Sequence, residues 1–240
     1  FEEVSSTNAL ARQMMREVGC EVQPGTVLIA EQQTGGIGRL NRVWMSPEGG
    51  IWATIVVKPD IDVENTFVIM AAASLALAKA IRHEFGLSAL IQWPNDVFIG
   101  DKKVAGTTLE LSADKGRIRY CLIGIGVDVN LSVEKSMPSL SDIVTSLSDE
   151  LGHEVERAKF FAVFLKEFER RYAMILKGET EPLFREWRSL SHTLHRRVRI
   201  RTLHEGFDGE AIDIDERGAL LVHRDDGDVE RVIAGDCYLL

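Results

Sequence analysis

A long run of small and aliphatic residues at positions 65–85 constrains this chain most strongly. Its first half is apolar on nearly all sides, which predicts a helix with no face left for solvent. Such a helix must be covered by other elements, so we expect it at the centre of a domain. The chain has 240 residues, 45% of them hydrophobic, which is enough for a substantial core and for one or two domains. Fibrous and disordered classes are excluded.

Short segments rich in β-branched residues precede and follow that run. Segments of this kind that end at Pro, Gly or Asp are typical of strands. The predicted strands are residues 26–30, 51–57, 89–92, 96–99, 103–111 and 117–129. Turn residues at 100–101 and 114–116 join the later strands, which predicts a sheet built from hairpins.

Three further segments have helical spacing. Ser-Thr-Asn at residues 6–8 precedes a short apolar stripe that Gly19 would end, which predicts a capped helix. Residues 141–151 and 155–176 repeat the spacing. In the last segment core packing explains one continuous stripe, which consists of Phe161, Leu165, Phe168, Tyr172 and Ile175.

From about Leu194 the sequence pattern changes to short strands in which apolar and polar residues alternate. Residues 197–201, 208–214, 219–224 and 230–233 predict a small antiparallel barrel or sandwich. In the first of these strands a period of two places three arginines on one face. That face is either a solvated strand surface or a patch for nucleic acid or another partner. The arginines are Arg197, Arg199 and Arg201.

Charge and cysteine content restrict the class of protein. Lys and Arg total 28 against 37 acidic residues, and the net charge of −9 argues against a surface devoted to nucleic acid or anionic lipid. Cys20, Cys121 and Cys237 form neither a disulfide framework nor a zinc pattern. The most apolar run is short for a membrane span, and the first residues are acidic. We therefore expect a cytoplasmic protein that uses no membrane.

A polar stretch after the first predicted strand carries the first candidate site. Residues 35–44 read Gly-Gly-Ile-Gly-Arg-Leu-Asn-Arg-Val-Trp. The glycines let backbone amides approach a ligand, Arg39 and Arg42 supply positive charge, and Trp44 supplies an apolar wall. The pattern matches neither usual nucleotide fingerprint. The segment is a surface loop, with or without a ligand.

Three further features lie within or beside predicted strands. Gln-Trp-Pro-Asn-Asp at residues 92–96 offers an amide and a carboxylate, and Asp96 either helps hold Mg²⁺ or caps a turn. Lys103 has apolar neighbours, so its ammonium either points inward or reaches outward to solvent. Gly124 and Gly126 clear one face of a strand, which admits a ligand or a closely packed backbone.

In order and spacing these motifs resemble those of the biotin protein ligases, whose catalytic domain is related to class II aminoacyl-tRNA synthetases and lipoate ligases. The matching segments are residues 6–8, 36–47, 92–96, 103–106 and 124–130. The resemblance implies an α+β fold. A mixed sheet with helices would form a catalytic domain over residues 1–190, and a small SH3-like β-barrel would follow over residues 191–240.

The resemblance also implies a reaction and its site residues. ATP, with Mg²⁺, would activate biotin to biotinyl-5′-AMP, and the biotinyl group would pass to a lysine of a biotin carboxyl carrier protein. Biotin would contact Ser6, Thr7, Asn8, Gln33, Gly36, Ile37, Gly38, Arg39, Lys103, Gly106, Gly124 and Gly126. ATP would contact Arg39, Arg42, Trp44, Asn95, Asp96, Lys103, Asp128 and Asn130. Lys103, Arg39 and Arg42 would be catalytic, converging on one anion, and Asp96 would hold the metal.

Four positions depart from the family pattern. Ile37 replaces a usual arginine, Asn41 a glycine and Gln92 a lysine, while Asp128 stands where asparagine is common. The loop is therefore less basic, although the three implied catalytic residues are retained.

Other functions remain consistent with this pattern. One is a lipoate–protein ligase, and another is a biotin-responsive transcriptional regulator, whose DNA-binding domain would lie upstream of this chain. A third is a binding module without catalysis. A homodimer is compatible with each of these functions.

Overall fold

The computed structural model describes residues 1–17, 22–202 and 205–240. Its first elements are β1 (Glu3–Val4), α1 (Thr7–Arg16), β2 (Val27–Ala30), β3 (Gln32–Gln33) and β4 (Ile51–Val57). The hydroxyl of Ser6 accepts a hydrogen bond from the Ala9 N–H and caps α1, as predicted. The predicted end of this helix at Gly19 lies outside the described residues.

A six-stranded antiparallel sheet forms the centre of the larger part of the chain. Its remaining strands are β5 (Ala89–Gln92), β6 (Asp96–Ile99), β7 (Lys102–Asp114) and β8 (Arg117–Val127). Their order is β2-β4-β8-β7-β6-β5, and the predicted hairpins β5–β6, β6–β7 and β7–β8 are all present. The hairpins bring residues from distant motifs onto one face of the sheet.

The predicted central helix is α2 (Phe67–Phe85), and most of its residues between Val68 and Ile81 are fully buried. Gly86, at φ +68°, ends the helix in the left-handed conformation. By length and composition the segment Val63–Phe85 could cross a membrane, so the expectation that the most apolar run is too short for a span is wrong. However, 67% of its most apolar window is buried inside the protein, as expected for a core helix.

Four helices follow the sheet: α3 (Val133–Ser136), α4 (Leu147–Leu151), α5 (Arg157–Leu176) and α6 (Thr180–Ser189). The prediction of a helix over 141–151 is wrong for its first six residues. Their backbone is used elsewhere, because Ile143 accepts a hydrogen bond from the Lys103 N–H and Thr145 donates one to the Lys103 carbonyl. Helix α4 begins only after Ser146, whose hydroxyl caps it.

The last part of the chain is a five-stranded antiparallel sheet, as the alternation of apolar and polar residues predicted. The strands are β9 (Arg197–Arg201), β10 (Gly206–Ile214), β11 (Leu220–Arg224), β12 (Val229–Val232) and β13 (Asp236–Leu239). Their order is β12-β11-β10-β9-β13, and β13 was not predicted. The predicted domain boundary after residue 190 stays a prediction. Ile91 in β5 forms backbone hydrogen bonds with Leu190 and with His192, which lie on either side of that boundary.

The arginines of β9 share one exposed face, as predicted from the period of two. Arg197 forms a two-pronged ion pair with Asp225, and Arg199 forms one with Asp208. Arg201 lies over the ring of Tyr238, 5.6 Å from its centroid. These partners neutralise or cover the charges, which favours the solvated strand face over a nucleic-acid patch.

Candidate functional site

One cavity of about 320 Å³ gathers most of the predicted site residues. Its walls come from the start of α1, residues 33–45, strands β4, β6, β7 and β8, the segment 137–144 and the start of β13. The predicted residues that line it are Ser6, Thr7, Asn8, Gln33, Ile37, Gly38, Arg39, Arg42, Trp44, Asn95, Asp96, Lys103, Gly106, Gly124, Gly126 and Asp128. The binding role assigned to each of these residues stays a prediction.

A polar network at the start of α1 forms one side of the cavity. The parallel pairing of Val4 with Gln33 brings the helix start beside that glutamine. Gln33 Oε1 accepts hydrogen bonds from the N–H and hydroxyl of Thr7, at 2.8 and 3.0 Å, and Gln33 Nε2 donates to Ser46. Asn8 Nδ2 donates to Glu110 at 3.0 Å. Fixed donors and acceptors of this kind suit a small polar ring.

The alternating glycines of β8 make room for side chains of the site. A Cβ on Gly124 would lie 2.3 Å from Thr108 Oγ1 and 2.9 Å from Asn8 Oδ1, and one on Gly126 would lie 2.7 Å from the Trp44 indole. The cleared strand face is therefore covered by three other residues that line the cavity, in addition to facing it. Gly36 is different: its Cβ would lie 2.4 Å from the Trp44 carbonyl, so it allows the loop to close on itself and does not line the cavity.

The loop at residues 35–44 is a narrow hairpin rather than an irregular surface segment. Ile37 bridges Val43, and at the tip Leu40 and Asn41 have φ of +54° and +58°. Asparagine tolerates this left-handed conformation better than most residues, which explains how it replaces a glycine here. Ile37, Leu40 and Val43 of the hairpin have exposed side chains, Val43 by 84%, whereas Trp44 is half-buried.

Lys103 points into the cavity. Its Nζ lies 2.6 Å from Asp96 Oδ2 and 4.7 Å from the centroid of Trp44. The other carboxylate oxygen of Asp96 and the indole Nε1 of Trp44 are both buried and have no hydrogen-bond partner within the described part of the chain. Buried polar atoms are normally paired, so these two mark positions where a ligand group would be accommodated.

Both loop arginines are held by other parts of the chain. Arg39 donates to Asn95 Oδ1 and to the Gly235 carbonyl, each at 3.0 Å, and burial lowers its pKa. Arg42 pairs with Asp236, and this hydrogen bond raises the pKa of Arg42. The three residues that the resemblance implies to be catalytic thus line the same cavity, and their catalytic role stays a prediction.

Asp128 and Asn130 have different surroundings. Asp128 lines the cavity with 3% of its surface exposed, and this burial raises its pKa to about 8 although Lys103 acts in the opposite direction. Asn130 lies outside the lining, and its amide bonds both the N–H and the carbonyl of Val155, at 2.8 and 2.9 Å. This geometry gives Asn130 a structural role in place of the expected nucleotide contact.

Sequence reasoning missed several residues that complete the cavity. Thr107 and Thr108 are successive residues of β7, and both line the cavity. No sequence pattern indicated that Asp236 belongs to the site, because it lies in a strand that was not predicted. The remaining unpredicted lining residues are mainly apolar and include Met137, Leu140, Ile143 and Val144.

No group of three or more His, Cys, Asp or Glu side chains able to hold a metal occurs in residues 1–17, 22–202 and 205–240. A cation here would need ligands from a bound molecule in addition to Asp96. This donor set fits Mg²⁺, which commonly binds through one or two carboxylates together with phosphate oxygens.

The chain has an α+β architecture, with a cavity over a six-stranded sheet and a small β unit beside it. It superimposes on the biotin protein ligase from Aquifex aeolicus in complex with biotin and ATP with a TM-score of 0.84, at 26% identity, covering 100% of this chain and 97% of that one. Residues 1–128 match the biotin/lipoate A/B protein ligase family, and residues 193–240 match the biotin protein ligase C-terminal domain.

Curated relatives agree with this match. The bifunctional ligase/repressor BirA of Bacillus spizizenii is 35% identical over 98% of this chain and 72% of its own length. The biotin--[acetyl-CoA-carboxylase] ligase of Mycobacterium tuberculosis is 30% identical over 91% of this chain and 80% of its own length. The chain therefore belongs to the biotin/lipoate A/B protein ligase family, and the resemblance read from its motifs is confirmed.

Proposed function

We propose that this chain is a biotin protein ligase that activates biotin with ATP and transfers it to a lysine of a biotin carboxyl carrier protein. The observation that carries this proposal is the convergence of Arg39, Arg42 and Lys103 on one cavity. Joining a carboxylate to a phosphate brings two anions together, so a site for this reaction needs cations where the charge builds.

The opposite side of the cavity suits biotin. The ureido ring of biotin has both donors and acceptors, which match the network of Thr7, Asn8 and Gln33. Its apolar ring and chain match the indole of Trp44 and the neighbouring Ile125. A pocket with a few fixed polar groups and apolar walls is typical of small-molecule sites.

In the first step a carboxylate oxygen of biotin attacks the α-phosphorus of ATP. A new phosphorus–oxygen bond forms, the bond to the β-phosphate breaks, and pyrophosphate leaves with the electron pair. Lys103, held by Asp96, supplies positive charge where the two anions meet. Arg39 and Arg42 carry further positive charge on the side of the cavity that the hairpin at residues 35–44 forms, and Mg²⁺ held by Asp96 would neutralise phosphate charge.

In the second step the amine of the acceptor lysine attacks the acyl carbon of biotinyl-AMP. The bond to the phosphate oxygen breaks, AMP leaves, and the amide forms with loss of a proton. The mixed anhydride must be kept from water until that moment. The hairpin at residues 35–44, with exposed Ile37 and Val43, is suited to cover it.

The other sequence predictions about this protein stay predictions. They are a cytoplasmic location, a homodimer, and DNA binding through a segment outside this chain. No observation favours lipoate over biotin, but the family includes both kinds of ligase, so the test must compare them.

The decisive experiment is ATP–pyrophosphate exchange with biotin and with lipoate in parallel. We expect exchange that depends on biotin and on Mg²⁺, followed by transfer of biotin to a purified carrier domain. Exchange with lipoate alone would identify a lipoate enzyme, and exchange with neither would contradict ligase activity. The Lys102→Ala variant, altered at an exposed neighbour of Lys103, provides a matched control.

A further inference from the structure

Three residues of the site motifs contact three successive residues of the C-terminal unit. Arg39 donates to the Gly235 carbonyl at 3.0 Å, Arg42 pairs with Asp236, and Gln92 Nε2 donates to the Cys237 carbonyl at 2.9 Å. Gln92 is one of the positions that depart from the family pattern. Gly235 and the first two residues of β13 therefore hold the loop and the Gln-Trp-Pro-Asn-Asp segment at the same time.

The segment that makes these contacts is itself rigidly held. Asp236 and Cys237 pair with Arg201 and Ile200 of β9. Gly235 has φ +151°, and a Cβ there would lie 2.7 Å from the Arg201 carbonyl, so only glycine brings this backbone to Arg39. The anchor for the loop is thus the beginning of a paired strand.

Asp236 is the charged member of this anchor and it lines the cavity. Its side chain is 14% exposed, whereas that of Arg42 is 57% exposed. The Tyr238 hydroxyl lies 3.3 Å from both Asp236 Oδ2 and Arg42 Nη2, which closes a triangle around the ion pair. Arg42 is therefore the more exposed partner of this pair, and Asp236 is the more buried one.

We propose that Asp236 is a positioning residue that holds Arg42, and with it the hairpin at 35–44, at the cavity mouth for contact with the phosphates of ATP. Within the described residues Asp236 and Tyr238 engage only Nη2 of Arg42. A guanidinium has five donors, so its other nitrogens bind phosphate while the carboxylate stays in place. The inference rests on the proposed function.

The test begins with Asp236→Asn, which removes the charge and keeps the size. We expect the KM for ATP in pyrophosphate exchange to rise about threefold to tenfold, because Arg42 must be ordered anew by each nucleotide. The KM for biotin should change less than twofold. Asp225→Asn is the matched control, since it breaks an Arg–Asp pair in the same unit that does not line the cavity.

A double-mutant cycle separates positioning from a general structural effect. If Asp236 acts through Arg42, Asp236→Asn has no further effect on the KM for ATP in an Arg42→Ala background. The proposal would be overturned if the increases in the KM for ATP caused by Asp236→Asn and Arg42→Ala multiply fully in the double variant. An unchanged KM for ATP in Asp236→Asn alone would also overturn it. Asp236→Glu should restore the KM to within about threefold of the parent.

Two controls keep the result interpretable. If Asp236→Asn does not fold, Tyr238→Phe removes one corner of the triangle, and we expect it to raise the KM for ATP about twofold; no change would count against the proposal. The parent is assayed first. Lack of biotin-dependent exchange in the parent contradicts the proposed function, whereas a normal parent with additive variants contradicts only the role of Asp236.

Discussion

Lys103 Nζ lies 2.6 Å from Asp96 Oδ2, and this ion pair faces the cavity. The two residues are seven positions apart and meet because β6 and β7 are antiparallel, with Asp96 opposite Gly106 and Phe98 opposite Lys103. Gly106 leaves room for both side chains, since a Cβ there would lie 3.0 Å from Asp96 and 3.1 Å from Lys103. One hairpin thus supplies the ammonium, the carboxylate and the space between them.

Replacing Lys103 by Ala should reduce biotin-dependent pyrophosphate exchange at least about 100-fold, because the charge that meets both anions is lost. The adjacent Lys102 is exposed and serves as the control, with near-normal exchange expected for Lys102→Ala. Exchange at the parental rate in Lys103→Ala would refute the catalytic assignment.

Gly126→Ala should displace the Trp44 indole, because the new methyl group would lie 2.7 Å from the ring. We expect a loss of about 1–3 kcal/mol in the free energy of unfolding and a rise in the KM for biotin. Denaturant unfolding and exchange kinetics measure these effects. Gly206→Ala is the control, since its Cβ would meet its nearest neighbour at 3.4 Å. Equal behaviour of the two variants would contradict the packing argument.

Asp128 should make the protein less stable as the pH rises from about 4 to about 8. Burial raises the pKa of native Asp128 to about 8, whereas an unfolded aspartate titrates near 4. In that interval the unfolded chain has lost the proton that the native state keeps. The free energy of unfolding therefore falls, by up to about 1.4 kcal/mol per pH unit from this group.

Urea unfolding of the parent and of Asp128→Asn at pH 5 and pH 7.5 tests this linkage. The Asn variant cannot ionise, so its stability should fall less between the two pH values. Asp114→Asn, at an exposed position, should keep the parental pH dependence. The argument fails if the parent and Asp128→Asn lose the same stability over this interval.

Asn130→Ala should lower stability without changing nucleotide affinity. The variant leaves the N–H and carbonyl of Val155 without their partner, which costs about 1–3 kcal/mol. Below the unfolding temperature the KM for ATP should stay within twofold of the parent. Asn65→Ala, at an exposed position, provides the baseline for stability. A large rise in the KM for ATP would restore the nucleotide role that the motif implied for Asn130.

Much of the fold and site could be predicted because their signals are local. The strands at Ile51–Val57 and Ala89–Gln92 have the predicted bounds, since β-branched runs with clear stops need no distant partner to be recognised. The motifs also placed Lys103, Arg39 and Trp44 in one site by their order. The helix predicted from residue 141 failed because a long-range pairing with Lys103 competes for the same backbone groups.

The amino-acid sequence alone determined the family, the α+β class and most of the residues around the cavity, since these depend on motif identity and hydrophobic period. Only the tertiary structure decided how those residues are held. It put Asn8 and Trp44 over the two glycines of β8, and it brought Asp236 to Arg42 across 194 positions of sequence. Such contacts depend on how strands pair and pack, and no local pattern records a neighbour that the fold brings from so far away.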